Sequence, residues 1–268
     1  MSKKIFYLII LLPMLAGCSA NNALKNEAPS LVVEKASENN VAQINIVENN
    51  ATVSIPTESV LPEKINWPVA FAPQAPTGNW SLPYQETCEE ASLILADKYF
   101  KNEKLDNAVM DSELLKLVKW ETKTFGYYTD TNVEQVKQMA EQYFNLKAEI
   151  SSDVSIENMK KQLAAGNLII APFAGRLLHN PNYSGMGPIY HFMLIRGYDE
   201  KYFYTNDVGT RKGDNYKYDY ATIINAIHDL PVDFGGVFRP YDSDISDSGR
   251  AARMFAGEKL ILIISKGA

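Results

Sequence analysis

The stretch PYQETCEEASLILA, residues 83–96, places Cys88 immediately before an apolar helical run. Thr87 and Glu90 have the spacing of a capping box, in which the two side chains satisfy free backbone N–H groups at a helix start. The sequence therefore predicts a helix with Thr87 as its N-cap and Cys88 as its first residue. Because the N–H groups and dipole at a helix start stabilise a thiolate, this position favours a reactive cysteine with a lowered pKa.

The chain has two cysteines, and the other one, Cys18, belongs to a targeting signal. Lys3 and Lys4 precede an apolar segment at residues 5–16 that is too short to span a bilayer. The segment ends in LAGC, residues 15–18, which has the pattern of a bacterial lipobox. We predict a lipoprotein signal peptide over residues 1–17 and lipid attachment at Cys18. Cys88 would then have no disulfide partner within the chain.

The rest of the chain divides into a tether and one domain. Residues 18–60 are rich in Asn, Glu and Ser and poor in aromatic residues, which predicts a flexible polar tether. Residues 61–268 begin with helices and continue with strands, a pattern typical of an α+β fold with a mostly antiparallel sheet. The predicted location is the cell envelope, outside the cytoplasm and anchored to a membrane, with the choice between inner and outer membrane left open.

Composition excludes several classes of function. With a formal net charge of -6 over 268 residues, the chain has no general electrostatic attraction for nucleic acid. The three histidines, His179, His191 and His228, are dispersed and do not match the spacing of zinc sites. We therefore predict no metal, no cofactor and no nucleic-acid partner. The expected partners are a peptide or protein substrate and the membrane that holds the lipid, and the protein is expected to be a monomer.

A predicted hairpin brings a histidine and a carboxylate together. His191 lies in a predicted strand at residues 190–196, and Asp207 follows another at residues 201–206. If the hairpin folds about Asp199, residues 191 and 207 lie opposite each other, with Cβ atoms about 5 Å apart. Such a carboxylate fixes the imidazole tautomer, so that the other ring nitrogen can accept a proton from a thiol. A slip of one residue would favour Asn206 instead, and both alternatives stay open.

Four stretches of the chain carry a resemblance to a known family. They are QAPTGNW at residues 74–80, CEEAS at 88–92, HFMLIRGY at 191–198 and TNDVGTRKG at 205–213. Together with the Cys, His, Asp order, they resemble the C39-like papain-fold cysteine peptidases, over about residues 61–265. The resemblance implies a papain-like fold, with the helix of Cys88 packed on the sheet. It also implies that Cys88 is the nucleophile, His191 the general base and Asp207 the group that orients His191.

The same resemblance implies a glutamine that donates to the oxyanion, together with the backbone N–H of Cys88. In the related exporter peptidase domains this glutamine stands six residues before the cysteine, where this chain has Leu82. C39-like relatives have it farther upstream, which favours Gln74. Gln85 is the alternative donor.

These features predict a lipid-anchored cysteine hydrolase that cleaves peptide or amide bonds through a thioester. Two alternatives keep the same scaffold. A transglutaminase-like acyltransferase would use the same triad and pass the acyl group to an amine. A non-catalytic surface binding module would keep Cys88 unreactive, and the acidic residues Glu89 and Glu90 beside the thiol are consistent with this alternative. The acidic balance of the chain hints at neutral or basic peptides as ligands.

Overall fold

The computed structural model describes residues 61–233, 236–237 and 246–267. These residues form an antiparallel sheet with helices on both faces, which confirms the predicted α+β class. The strands are β1 (Ile65–Asn66), β2 (Lys147–Ser151), β3 (Leu168–Ala174), β4 (Tyr190–Tyr198), β5 (Tyr202–Asn206), β6 (Tyr216–Asp219), β7 (Val232–Asp233), β8 (Gly236–Val237) and β9 (Ile261–Ser265). The helices are α1 (Cys88–Lys101), α2 (Asn107–Phe125), α3 (Val133–Gln138), α4 (Ile156–Ala164), α5 (Tyr220–Ala226) and α6 (Asp247–Arg253). The predicted signal peptide, Cys18 and the tether over residues 18–60 lie outside the described residues.

The main sheet has seven strands, of which six follow the order β2-β9-β3-β4-β5-β6, while β1 pairs with β4. All of its pairings are antiparallel. Strands β3 and β4 are buried along their whole length. In the described part of the chain, no helix combines the length and the apolar character needed to cross a bilayer.

Alternation along the buried strands separates two layers of core packing. On β4, Phe192 and Leu194 pack with apolar residues of α1, α2 and α3, whereas Met193 and Ile195 pack with residues of α4 and α5. This follows from the strand geometry, in which successive side chains point to opposite faces. As a result, α1 packs directly against β4, and its first residue lies beside the strand that carries His191.

Helix α1 begins at Cys88, as predicted, but the predicted capping box is wrong. Thr87 makes no side-chain bond to the helix N–H groups. Its hydroxyl instead donates to the carbonyl oxygen of Tyr84 at 3.1 Å, across a short 3-10 turn at Tyr84–Glu86. Glu90 is fully buried in the core rather than turned back towards the cap. The Thr87 hydroxyl therefore stabilises the turn before α1 instead of capping the helix.

The register of the β4–β5 hairpin also differs from the prediction. Leu194 pairs with Asn206 and Ile195 with Thr205, and the register shifts by one residue around Arg196. The two residue numbers in each of these pairs add up to 400, whereas residues 191 and 207 could be directly opposed only if the sum were 398. If the pairing continued, position 209 would lie opposite His191, and Asp207 would be its diagonal neighbour. The difference arises because the turn centres after Asp199, where the Asp199 carboxylate accepts from the N–H groups of Lys201 and Tyr202.

Candidate active site

Cys88 lines a cavity of ≈ 560 Å³. The residue is 7% exposed, and two groups form hydrogen bonds with its thiol. The backbone N–H of Phe192 on β4 donates to Sγ at 3.3 Å. The thiol also forms a hydrogen bond of 3.0 Å with Oε2 of Glu89. The start of α1 therefore presents Cys88 to the cavity with neighbours from both the helix and the sheet.

The cavity brings together residues that are far apart in the chain. His191 and Gln74 line it together with Cys88, so that three of the predicted site residues share one space. Two aromatic and two basic side chains on the surrounding loops also line the cavity: Trp80, Tyr183, Arg211 and Lys212. The cavity therefore places aromatic and basic side chains around the residue that carries the thiol.

His191 is held by Asp207, the fourth predicted site residue. Nε2 of His191 lies 2.9 Å from Oδ1 of Asp207, and both side chains are buried. The carboxylate therefore favours the tautomer with its proton on Nε2, which leaves Nδ1 as the acceptor nitrogen. The contact that was predicted from a directly opposed pair is made across the diagonal, since Asp207 lies just beyond the end of β5.

Asp207 is enclosed by hydrogen-bond donors. Its Oδ2 accepts from the hydroxyl groups of Tyr218 at 2.6 Å and Tyr183 at 2.7 Å, and from Nδ2 of Asn180 at 3.0 Å. Its Oδ1 also accepts from the N–H of Gly209 at 3.1 Å. Burial by itself raises the pKa of Asp207, but His191 and the hydroxyl groups outweigh that effect and hold the pKa below its ordinary value. Asp207 is therefore an ionised group at neutral pH.

Asn206, the alternative orienting residue, has other partners. Its Nδ2 donates to the carbonyl oxygens of Val69 and Ala70, at 3.3 and 3.2 Å. Its Oδ1 accepts from Arg196 at 3.1 Å and from the N–H of Asn215 at 3.2 Å. These bonds join the end of β5 to β4 and to neighbouring loops, so the side chain supports the sheet rather than His191.

Two residues that the sequence reasoning did not select pack against the imidazole. The ring of Tyr183 meets the ring of His191 edge-on, with centroids 5.7 Å apart. A Cβ atom added at Gly209 would lie 2.8 Å from Cε1 of His191 and 3.1 Å from Nε2. The imidazole therefore occupies the space that a side chain at position 209 would need. The glycine within the TNDVGTRKG stretch was a visible signal, whereas Asn180, Tyr183 and Tyr218 belong to segments with no pattern that points to the site.

Gln74 is buried beside the thiol but donates to the backbone. Its Nε2 bonds to the carbonyl oxygens of Tyr84 at 2.9 Å and Gln85 at 3.2 Å, in the turn that precedes Cys88. Its Oε1 has no hydrogen-bond partner among the described residues. Gln85 also lines the cavity, with an exposed side chain whose Nε2 donates to Glu86 at 3.1 Å. Both glutamines therefore stay candidates for contact with a ligand.

The expected lowering of the thiol pKa is wrong for this structure. Burial raises the pKa of Cys88 well above its ordinary value, and the charge and hydrogen bond of Glu89 raise it further. The N–H of Phe192 acts in the opposite direction. The sequence reasoning noted both acidic neighbours, but the side-chain direction that brings Glu89 rather than Glu90 to the sulfur became visible only in the folded chain.

Glu90 forms a buried carboxyl pair with Glu121 of α2. Both side chains are fully buried, and their interaction is accompanied by raised pKa values that arise mainly from burial. Their four carboxyl oxygens receive no donor from the described residues. Two such groups can lie together only if they hold a proton between them, because two adjacent carboxylates repel each other.

The two remaining histidines lie away from this chemistry. His179 is exposed in the loop after β3, and His228 follows α5, where its Nδ1 is 3.0 Å from the carbonyl oxygen of Gly257. Over residues 61–233, 236–237 and 246–267, no three or more His, Cys, Asp or Glu side chains are arranged to hold a metal ion.

The arrangement of Cys88, His191 and Asp207 lies within a segment that a known family shares. The sequence profile described as the Peptidase_C39 like family matches residues 68–229, which is more than half of the chain. The chain belongs to the Peptidase_C39 like family. Membership in this family assigns to the chain a cysteine-peptidase type of fold and confirms the resemblance found in the sequence.

Solved structures include a relative of this Peptidase_C39 like protein. The crystal structure of a candidate C39-like peptidase from Bacillus anthracis matches 77% of this chain and 100% of its own, at 17% sequence identity and a TM-score of 0.43. The comparison with curated proteins found no significant match.

Proposed function

We propose that this chain is a cysteine peptidase that cleaves a peptide or amide bond through a Cys88, His191 and Asp207 triad. The observation that carries the proposal is the contact between Nε2 of His191 and Oδ1 of Asp207, made at the wall of the cavity that contains the Cys88 thiol. An imidazole held in this way has its acceptor nitrogen, Nδ1, available for the thiol proton.

The reaction would take place in two stages. In the first stage, the proton of Cys88 moves to Nδ1 of His191, and the thiolate attacks the carbonyl carbon of the substrate. His191 then gives this proton to the leaving amine, and the acyl group stays on the sulfur as a thioester. In the second stage, water attacks the thioester with His191 as the base, and the acid product leaves with the thiol restored. Asp207 stays ionised and stabilises the imidazolium.

The oxyanion would be stabilised by the backbone N–H of Cys88 and by the amide of Gln74. For Gln74 this role requires a rotation of the side chain, because its Nε2 donates to the carbonyl oxygens of Tyr84 and Gln85 in the resting protein. Gln85 is the alternative donor, since its exposed side chain lines the same cavity.

The proposal includes a lipid anchor at Cys18, which rests on the lipobox at residues 15–18 and on the apolar segment before it. A polar tether over residues 18–60 would then hold the peptidase domain away from the membrane, outside the cytoplasm. Metabolic labelling with an alkyne fatty acid tests this, since labelling should disappear in Cys18→Ala and persist in Cys88→Ala. Labelling that persists in Cys18→Ala would overturn the anchor.

The peptidase activity is tested with a library of peptides from a digested proteome. The full chain should generate new peptide termini, which mass spectrometry identifies, and Cys88→Ala and His191→Ala should abolish them. His179→Ala is the matched control, because His179 is exposed and does not line the cavity, and its products should equal those of the wild type. Cleavage that survives Cys88→Ala would overturn the proposed mechanism. Products that carry an added amine would indicate acyl transfer instead of hydrolysis.

A second function, peptide binding without turnover, is favoured by one observation. The raised pKa of the Cys88 thiol, caused by burial and by Glu89, makes the thiolate scarce at neutral pH. If the protein only binds peptides, iodoacetamide should not label Cys88, although peptides should still bind in the cavity. Rapid labelling of Cys88 in the free protein would exclude this alternative.

A further inference from the structure

Two basic side chains line the candidate active-site cavity, and the proposed mechanism uses neither of them. They are Arg211 and Lys212, and both residues are exposed. Within the part of the chain that the structure describes, neither side chain has a carboxylate within ion-pair distance, because the ion pairs there involve other lysines and arginines. Their two positive charges therefore face the cavity without an internal counter-charge from these residues.

The loop at residues 207–213 fixes where these two basic residues lie. It begins with Asp207, the residue that holds His191. It is closed by a hydrogen bond of 2.9 Å, in which the N–H of Asp207 donates to the carbonyl oxygen of Gly213. The basic residues are therefore carried by the same closed loop as one member of the candidate triad.

This loop also passes against the imidazole. A Cβ atom added at Gly209 would lie 2.8 Å from Cε1 of His191. Arg211 follows two residues later in the chain, so the Cα atoms of Gly209 and Arg211 are at most about 8 Å apart. An extended peptide covers this distance in about two or three residues. The positive charges therefore lie within a few substrate residues of the reacting centre.

A glycine on the neighbouring loop makes room for Arg211. Gly78 has a φ of +83°, and a Cβ atom added there would overlap Nη2 of Arg211. The guanidinium group therefore lies directly against the Gly78 backbone. The two loops are also joined by a hydrogen bond of 3.0 Å from the N–H of Gln74 to the carbonyl oxygen of Val208. These contacts place the guanidinium beside the loop that carries Gln74.

The acidic residues of the same cavity are arranged differently. Glu86, Glu89 and Asp130 also line it, but each of them is only 2–6% exposed. Glu89 accepts from the Cys88 thiol and from a backbone N–H, and Glu86 accepts from the Gln85 amide. The acids are therefore buried and bonded to the protein, whereas the exposed charges that a ligand would meet are positive. Ligand choice depends on these local charges more than on the net charge of the chain.

We propose that Arg211 and Lys212 form a subsite for a carboxylate of the peptide substrate, on a residue within about three positions of the scissile bond. The inference rests on the proposed peptidase function and deepens it by naming the class of substrate. The Arg211 guanidinium has parallel N–H donors that match the two oxygens of a carboxylate, and Lys212 adds a second positive charge. Peptides with a carboxylate at this position replace the neutral or basic peptides expected from the net charge.

Matched peptide pairs measure this preference. The pairs are based on peptides from the digested proteome that the full chain cleaves, or that immobilised Cys88→Ala protein retains. One set has Glu or Gln at each position near the scissile bond, and a second set has a free or an amidated C-terminus there. The two sets distinguish a side-chain carboxylate from the carboxylate of the chain end.

We expect kcat/KM to be higher for the carboxylate member of a pair by about fivefold, the upper end of the range for one exposed ion pair. The preference should decrease as the salt concentration increases, because exposed charges are screened. A preference in either set supports the proposal and identifies the source of the carboxylate. Equal rates in both sets, or a preference for the uncharged member, overturn it.

Three variants assign the preference to the two basic residues. The double variant Arg211→Gln, Lys212→Gln should reduce the ratio of the two rates to about one, and Arg211→Glu should reduce it further, because it places a negative charge at the subsite. Lys201→Gln is the matched control, since Lys201 is exposed and does not line the cavity, and its ratio should equal that of the wild type. Both members of a pair are measured with the same protein, so a loss of folded protein cancels from the ratio. A preference that survives the double variant overturns the assignment.

Binding to Cys88→Ala separates the subsite from the proposed function. This variant cannot form a thioester, so the Kd of each member of a pair, measured by calorimetry, depends on the cavity alone. Tighter binding of the carboxylate member by a protein that cleaves nothing would overturn the peptidase function and leave the subsite. Cleavage with no carboxylate preference would overturn only the subsite. If no peptide is cleaved or retained, both proposals are wrong.

Discussion

Nε2 of His191 lies 2.9 Å from Oδ1 of Asp207, although the two residues are not paired across their hairpin. The contact depends on the position of Asp207 just after β5, where the chain leaves the ladder and its carboxylate can reach diagonally towards His191. Three donors then hold the far oxygen of the carboxylate: Asn180 and Tyr183 from the loop before β4, and Tyr218 from β6. The pair is therefore fixed by its surroundings rather than by strand pairing, and this leads to the first prediction.

Asp207→Asn should reduce activity strongly while the fold persists. An amide can offer only one oxygen, so either His191 or the group of donors at Oδ2 would meet an NH₂ group that cannot accept. We expect a decrease in kcat of about 10²–10⁴-fold, as expected when the histidine loses its correct tautomer. Peptide cleavage measures kcat, and circular dichroism checks the fold.

Variants that each remove one of the hydroxyl donors to Asp207 provide the comparison for Asp207→Asn. Tyr218→Phe and Tyr183→Phe each remove one hydrogen bond and should lower activity by less than Asp207→Asn. Tyr216→Phe is the control, because Tyr216 packs beside Tyr218 and has no hydrogen bond to Asp207. If Asp207→Asn cleaves peptides as fast as the wild type, Asp207 does not orient His191.

Gly209→Ala should displace the imidazole without disturbing the core. The added methyl group would lie 2.8 Å from Cε1 of His191, which is closer than van der Waals contact allows. We expect kcat to fall by at least about tenfold, because a small misplacement of a catalytic group has a large effect on the rate. Thr210→Ser in the same loop adds no atom and should keep most of the activity. Equal activity in the two variants would show that the imidazole does not need this space.

Gln74→Ala distinguishes a catalytic from a structural glutamine. If the Gln74 amide rotates to stabilise the oxyanion, kcat should fall by about 10²–10³-fold with KM little changed. If it only holds the turn at Tyr84–Glu86, the thermal midpoint should fall while kcat changes little. Gln85→Ala is the matched control and should have a small effect on both. A larger loss of kcat in Gln85→Ala would assign the oxyanion role to Gln85.

Stability should decrease as the pH rises towards 8, because of the buried carboxyl pair. Burial raises the pKa of Glu121 from its ordinary 4.5 to about 8. The folded protein keeps this proton and the unfolded chain releases it above the ordinary value. The neutral acid therefore stabilises the fold fully at low pH, and this contribution is lost as the pH rises through the folded-state pKa.

Glu121→Gln removes this titration with little change of shape. We expect its thermal midpoint at pH 8 to exceed that of the wild type by about 3 °C or more, from ~1.4 kcal/mol per pKa unit and ~2–4 °C per kcal/mol. Glu113→Gln on the same helix is the control, since Glu113 pairs with Lys116 at the surface. A wild-type midpoint that does not change between pH 5 and pH 8 would contradict the prediction.

Local patterns predicted much of the fold. The stretch at residues 83–96 forms a helix that begins at Cys88, as predicted, and the apolar runs at residues 168–173 and 259–265 contain the buried strands β3 and β9. A segment whose secondary structure depends on a partner strand is harder to predict from its own residues. Around Tyr218 the residue types are those of a strand or a helix, and in the structure Tyr216–Asp219 pairs with β5 while α5 begins at Tyr220. Its aromatic alternation is compatible with either structure, and the partner strand decides between them.

The sequence by itself determined the α+β class, the start of α1 at Cys88, and the residues Cys88, His191, Asp207 and Gln74 as a candidate set. The class, the helix start and the pairing of Cys88 with His191 and Asp207 follow from periodicity, spacing and residue type, which are local properties, whereas Gln74 was implied by the family resemblance. Tertiary structure decided which partners these residues have. It assigned the Asp207 carboxylate rather than the Asn206 amide to His191, and Glu89 rather than Glu90 to the thiol. Those choices depend on hydrogen bonds between segments up to 137 residues apart, as in the contact of Asn206 with Val69, and on burial that no single segment encodes.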